Sequence, residues 1–140
     1  MKQTVAFNPE NFLEAAKAFL TGAASEAEFR TIVGRAYYAA YGSLRMRLCR
    51  AKGVDPDELF GKSGRHSKLI RSIENSSHDI RQVLFSYQRL WVERVHADYD
   101  YSAQMTHDDA KSAVSDAAWV IKQLANIQDR KFKSFPLATP

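Results

Sequence analysis

The stretch Val92–Ser102 places an arginine, a histidine, two aspartates and two tyrosines at the end of a predicted amphipathic helix. Histidine can transfer protons near neutral pH, and arginine can hold an anionic ligand, so these residue types suit a catalytic site. The same residue types also suit the polar rim of a helix bundle. The sequence leaves both interpretations open.

Arg94 and Asp98 continue the apolar stripe of this helix at a spacing of four residues. A buried guanidinium is costly unless a carboxylate and other acceptors meet it. Arg94 is therefore expected either to pair with Asp98 near the end of the bundle or to be directed at a ligand.

Arg89 and His96 form a second pair, seven residues apart on one helical face. Two helical turns separate them by about 10 Å along the axis, which is too far for direct contact on one straight helix. If two copies of the helix pack about a twofold axis, Arg89 of one copy can lie opposite His96 of the other copy. An isologous interface allows this because it places a residue of one subunit against a different residue of its partner.

Positive charge is concentrated in one region, although the whole chain carries a net charge of only +4. Residues 45–71 contain eight basic and three acidic side chains, a local balance of +5. Such a region suits a phosphate-binding surface that could guide RNA, although solvated helix faces give the same pattern. The candidate RNA-binding residues are Arg45, Arg47, Arg50, Lys62, Arg65, Lys68 and Arg71.

Helical periodicity dominates the chain and predicts an all-α, up-and-down bundle of four to five helices. Capping patterns at Ser25 with Glu28 and at Thr106 with Asp109 predict the starts of two of them. Five helices are predicted. The first three cover about 8–20, 25–51 and 65–73, and the last two begin at about 79 and about 106.

The 140 residues suit a single domain, 1–140, whose basic tail at 128–140 is expected to fray. No apolar run approaches the length of a membrane span, and no secretory signal is evident, so the protein is expected to be cytoplasmic with no membrane partner. Cys49 is the single cysteine and is expected to be buried. The histidines lack close metal-ligand spacing, so neither a metal nor another cofactor is expected.

The sequence resembles the HEPN domain family from about Phe12 to Ile127. The resemblance rests on "GRAYYAAYGSL" in the second helix, "GRHSKLI" at the third, and "RVHADYD" at the end of the fourth. It implies a helical bundle that often forms a homodimer. Many members are metal-independent ribonucleases of toxin–antitoxin, phage-defence or CRISPR-associated systems.

The active motif of the family is an arginine and a histidine with four to six residues between them. Arg89 and His96 have six residues between them, at the outer limit of this pattern, and Arg94 is the alternative arginine for the catalytic pair with His96. Such a pair can cleave RNA: the imidazole moves the proton of the 2′-hydroxyl, and the arginine stabilises the pentacoordinate phosphate. RNA is therefore an expected partner. The supporting residues are expected to be Asp98, Tyr99, His66, Arg35 and Tyr38.

A second branch of the family carries Arg, two variable residues and Ala-Asp-Tyr, which here matches Arg94 with Ala97, Asp98 and Tyr99. In that branch the histidine stands at a variable position. The alternative function is therefore a non-catalytic HEPN module that binds a nucleotide or a partner protein, such as a nucleotidyltransferase or an antitoxin.

Overall fold

Helices make up the regular structure of the part of the chain that the structure describes. The structure, a computed structural model, describes residues 7–53, 55 and 78–133. Within these ranges no strand occurs, which confirms the predicted all-α bundle. The predicted helix over 65–73 lies outside the described residues. The helices are α1 (Glu10–Gly22), α2 (Glu26–Lys52), α3 (His78–Tyr99), α4 (His107–Asn126) and α5 (Asp129–Lys133).

Side-chain caps fix where two of the helices begin, as the sequence predicts. The amide of Glu28 donates to Ser25 Oγ at 3.2 Å, and the amide of Ser25 donates back to the Glu28 carboxylate at 3.1 Å. Thr106 and Asp109 form the same reciprocal pair at the start of α4. Each pair satisfies two amides that have no partner within the helix.

α2 is the central helix of the bundle, because it contacts all four of the other described helices. Its inward side combines small and large residues, so that neighbouring helices approach closely and still fill the interior. The hydroxyl groups of Tyr37 on α2 and Tyr87 on α3 lie 2.7 Å apart and are both buried. This hydrogen bond satisfies two polar groups that would otherwise be costly to bury.

The basic tail differs from its predicted frayed state over residues 129–133, which form α5. Phe132 is fully buried, and the Arg47 guanidinium lies over its ring at 4.5 Å. Arg47 also forms an ion pair with Asp129. A sequence of alternating basic and aromatic residues does not reveal this docking, which depends on burial against α2. The rest of the tail lies outside the described residues.

Within the described ranges, no helix combines the length and apolar character of a membrane span.

Gly42 lets the start of α1 approach α2. A Cβ at this position would overlap the ring of Pro9, lying 2.7 Å from its Cγ. The proline ring is rigid and cannot turn aside, so any larger residue must push the two helices apart.

We expect Gly42→Ala to destabilise the protein by about 1–3 kcal/mol, because overpacking at a tight contact has that cost. Gly34→Ala is the matched control: a Cβ there has no neighbour within 4 Å, and alanine favours a helix over glycine by up to about 1 kcal/mol. Thermal and urea unfolding measure both. Equal stability of the two variants would contradict the close contact of Gly42 with Pro9.

Candidate functional site

Arg94 is held inside the protein by contacts with α2 and with its own helix. Its side chain is 16% exposed, its Nε lies 2.9 Å from Asp98 Oδ2, and its Nη2 donates to the Tyr38 hydroxyl at 3.2 Å. The Nε contact is an ion pair and not a hydrogen bond, since the N–H does not point at the carboxylate. Of the two expectations for Arg94, the structure shows the pairing with Asp98.

Aromatic rings complete the surroundings of Arg94. Its guanidinium lies 5.6 Å from the ring centre of Tyr38 and 5.7 Å from that of Tyr99. Arg35 lies over Tyr38 at 5.3 Å, so the structure brings these predicted supporting residues together. Arginine and tyrosine therefore alternate along one continuous series of contacts, which we call the arginine–tyrosine row: Arg35, Tyr38, Arg94 and Tyr99.

Arg89 lies on a different side of α3 and faces α4. Its side chain is 63% exposed, and its Nη2 lies 3.2 Å from Asp116 Oδ1. Glu93 and Asp109 line the same open groove of about 580 Å³ between the two helices. The single positive charge of Arg89 is therefore surrounded by three carboxylates in this groove.

His96 has an exposed side chain near the end of α3. It shares a helical face with Arg89 and lies about 10 Å from it along the helix axis. Arg94 is directed toward α2 instead. The three predicted catalytic residues thus do not converge within one chain, and Arg89 and His96 are the two that stay exposed.

The residue that fixes this end of α3 is Arg30, which the sequence analysis did not single out. Its Nη1 donates to the carbonyls of His96 and Ala97, at 2.9 Å each, and its Nη2 donates to the carbonyl of Ala103 at 2.6 Å. The last carbonyls of a helix have no partner within the helix, so a guanidinium there is an effective cap. Its carbonyl partners lie 66 to 73 residues away, which local sequence patterns do not reveal.

Glu26 contacts both Arg30 and the loop between α3 and α4. Its carboxylate accepts from Arg30 Nη2 at 3.0 Å and from the backbone amide of Met105 at 2.9 Å. These contacts lower the pKa of Glu26 below its ordinary value of 4.5, the Met105 amide having the largest effect and Arg30 the next. The first turn of α2 therefore fastens both the end of α3 and the loop that leads to α4.

The predicted RNA-binding region is only partly within the described residues. Arg47 is a structural residue: its side chain is largely buried, and it donates to the carbonyls of Leu124 and Ile127. Because these carbonyls accept from its Nε and Nη2 and Asp129 pairs with its Nη1, RNA binding by Arg47 stays a prediction that would require these contacts to be given up. Arg50 is exposed, whereas Arg45 is half-buried. The residues that lie outside the described ranges are Lys62, Arg65, His66, Lys68 and Arg71.

Cys49 is buried, as expected, and burial raises the pKa of its thiol to about 11. Among the described residues, no three His, Cys, Asp or Glu side chains lie close enough together to hold a metal ion.

We expect Arg30→Gln to destabilise the protein by about 2 kcal/mol, because hydrogen bonds from a charged donor contribute roughly that much and three carbonyls lose theirs. Arg35→Gln is the control, since the exposed Arg35 contacts only the rings of Phe12 and Tyr38 among the described residues. It should change stability by less than about 1 kcal/mol. Urea unfolding compares the two variants; an equal loss would show that Arg30 is not a structural cap.

The lowered pKa of Glu26 predicts an acid-sensitive contribution to stability. A carboxyl whose pKa is lower in the folded state than in the unfolded state stabilises the fold when the pH is above its unfolded pKa of 4.5. This contribution is lost as the pH falls through the lower pKa of the folded state. The stability difference between wild type and Glu26→Gln should therefore be constant above pH 4.5 and shrink below it. Glu14→Gln, which removes an exposed carboxylate next to Lys17, is the control variant and is measured over the same pH range. A pH-independent difference for Glu26→Gln would contradict the assignment.

No protein-family model, curated protein or solved structure matches the chain. The resemblance to the HEPN family therefore stays a prediction, which rests on the three sequence motifs named above.

Proposed function

We propose that the protein is a metal-independent endoribonuclease of the HEPN type, active as a cytoplasmic homodimer in a toxin–antitoxin or phage-defence system. The observation that carries this proposal is the exposure of Arg89 and His96 on one face of α3, two turns apart. A histidine that accepts or donates a proton and an arginine that stabilises the charged phosphate are side chains suited to RNA cleavage without a metal.

The chemistry divides between the two side chains. The neutral imidazole of His96 accepts the proton of a ribose 2′-hydroxyl, whose oxygen attacks the neighbouring phosphorus. The bond from phosphorus to the 5′-oxygen breaks, and the leaving oxygen takes a proton from water. The products are a 2′,3′-cyclic phosphate and a 5′-hydroxyl, while the guanidinium of Arg89 stabilises the charge of the pentacoordinate phosphate.

Two subunits are needed to assemble this pair. Arg89 and His96 lie about 10 Å apart along one helix axis, so one phosphate cannot touch both in a single chain. If two α3 helices pack antiparallel with the twofold axis midway between these residues, Arg89 lies opposite His96 of the partner subunit. Each dimer then holds two identical composite sites.

Arg89 is available for this role because its present contact is weak. An exposed ion pair such as that of Arg89 with Asp116 contributes about 0–1 kcal/mol, so the guanidinium can exchange the carboxylate for a phosphate. Arg94 is a poorer candidate, because its side chain is largely buried. To reach a phosphate, it would have to give up its ion pair with Asp98 and its hydrogen bond to Tyr38. We therefore assign the phosphate contact to Arg89.

A specific observation also favours the second function, a non-catalytic HEPN module that binds a nucleotide or a partner protein, such as a nucleotidyltransferase or an antitoxin. Arg94, Asp98 and Tyr99 match the branch in which the histidine is variable, and Arg94 contacts both Asp98 and Tyr99. In such a module the arginine–tyrosine row stabilises the end of α3, and His96 has no role in catalysis.

Single-stranded RNA incubated with the wild-type protein in EDTA should be cut to 2′,3′-cyclic phosphate ends. His96→Ala and Arg89→Ala should each lower the rate about a hundredfold or more, as expected for loss of a general base or of charge stabilisation. Arg81→Ala, which removes an exposed arginine from the start of α3, is the control and should cleave normally. Equal cleavage by wild type and His96→Ala, or cleavage by neither, would favour the non-catalytic module.

Mixing the two inactive variants tests whether the site is shared between subunits. In a mixed dimer of His96→Ala and Arg89→Ala, one of the two composite sites is intact. After subunit exchange half of the dimers are mixed, so about a quarter of the wild-type rate should return. No recovery, although mixed dimers are detected by native mass spectrometry, would contradict the shared site.

A further inference from the structure

Two tyrosines near the end of α3 expose most of their rings to solvent. Tyr99 is 67% exposed and Tyr101 is 79% exposed. The guanidinium of Arg94 lies over the ring of Tyr99 at 5.7 Å, and that of Arg30 lies over the ring of Tyr101 at 5.6 Å. Each ring thus contacts a largely buried arginine and still exposes most of its surface.

The two arginines are fixed by the fold, and this gives the rings defined supports. Arg30 is held by three backbone carbonyls and by Glu26. Arg94 is held by Asp98 and Tyr38. The 62% exposed ring of Phe85, on the same helix, has no such arginine contact among the described residues.

We infer that Tyr99 and Tyr101 form a stacking surface for unpaired bases of single-stranded RNA; this inference rests on the proposed ribonuclease function. Bases stack on exposed aromatic rings whatever their sequence, because every base has a π-face. A guanidinium against one face draws electron density from the ring. The other face then favours electron-rich bases, so purines should bind better than pyrimidines.

The position of this surface fits a strand that reaches His96. Tyr99 follows His96 by three residues, about 4.5 Å along the helix axis. A nucleotide whose base stacks on Tyr99 therefore has its ribose and phosphate close to the imidazole. The exposed guanidinium of Arg35, at the other end of the arginine–tyrosine row, is available to a phosphate further along the strand.

The carboxylates in the groove between α3 and α4 support the same path for the RNA strand, from His96 toward the two tyrosines. Arg89 supplies one positive charge for the scissile phosphate, whereas Glu93, Asp109 and Asp116 line the rest of its groove and repel any further phosphates of the backbone. A strand is therefore expected to extend from the catalytic pair toward the tyrosines, where the bases find aromatic partners, and not along the groove.

Binding can be measured without cleavage by using short fluorescent oligonucleotides with 2′-O-methyl ribose, which lack the attacking hydroxyl. Tyr99→Ala and Tyr101→Ala should each raise the Kd about tenfold, the effect of losing one base–aromatic contact. Tyr99→Phe should keep the affinity, since the ring remains. Phe85→Ala is the matched control and should bind as wild type does. An adenine oligonucleotide should bind more tightly than a uracil one.

The results separate this inference from the proposed function. If both tyrosine-to-alanine variants keep their helical circular dichroism and bind as wild type does, the stacking surface is wrong, even if His96→Ala abolishes cleavage. Absence of binding by the wild type, or an equal loss with Phe85→Ala, would overturn it too. A selective loss with the two tyrosine variants supports it, even if the wild type cuts no RNA and the ribonuclease proposal fails.

Discussion

The hydrogen bonds from Arg30 to the last carbonyls of α3 are the constraint on which the candidate site depends. One guanidinium satisfies His96 and Ala97 at the helix end and Ala103 in the loop, while Glu26 fixes the guanidinium and the amide of Met105. This cap adds to the hydrogen bond from Arg94 to Tyr38, and together they hold the end of α3 against α2. The start of the central helix thereby determines where the functional end of α3 lies.

Arginines in this protein serve two different purposes, and the functional proposal follows from that division. Arg30, Arg47 and Arg94 have largely buried side chains that donate to carbonyls or meet carboxylates within the chain. Arg35 and Arg89 are exposed: Arg35 contacts aromatic rings, and Arg89 contacts the half-buried carboxylate of Asp116 and the hydroxyl of Ser86. A ligand can bind these two exposed arginines at little cost in free energy, because the surface contacts that they would exchange for it contribute little stability.

Local chemistry explains which parts of this structure could be predicted from the sequence. The capping boxes at Ser25 and Thr106 involve residues three positions apart, and the Arg94–Asp98 pair lies four positions apart, so all of them follow helical spacing. Arg30 and Arg47 could not be assigned in that way. Their partners are backbone carbonyls more than 60 residues distant, and every residue type carries a carbonyl. The composition of the basic tail likewise does not reveal the burial of Phe132 against α2, which depends on the assembled bundle.

Amide hydrogen exchange of the loop after α3 tests the role of Arg30 and Glu26 most directly. The amide of Met105 donates to the Glu26 carboxylate, whereas Gln104 is an exposed loop residue. Because exchange requires that a hydrogen bond opens, Met105 should exchange much more slowly than Gln104 and at a rate near that of the core amides of α2. If Met105 exchanges as fast as Gln104, Glu26 does not fasten the loop to α2, and the shared junction of Glu26, Arg30 and the end of α3 is contradicted.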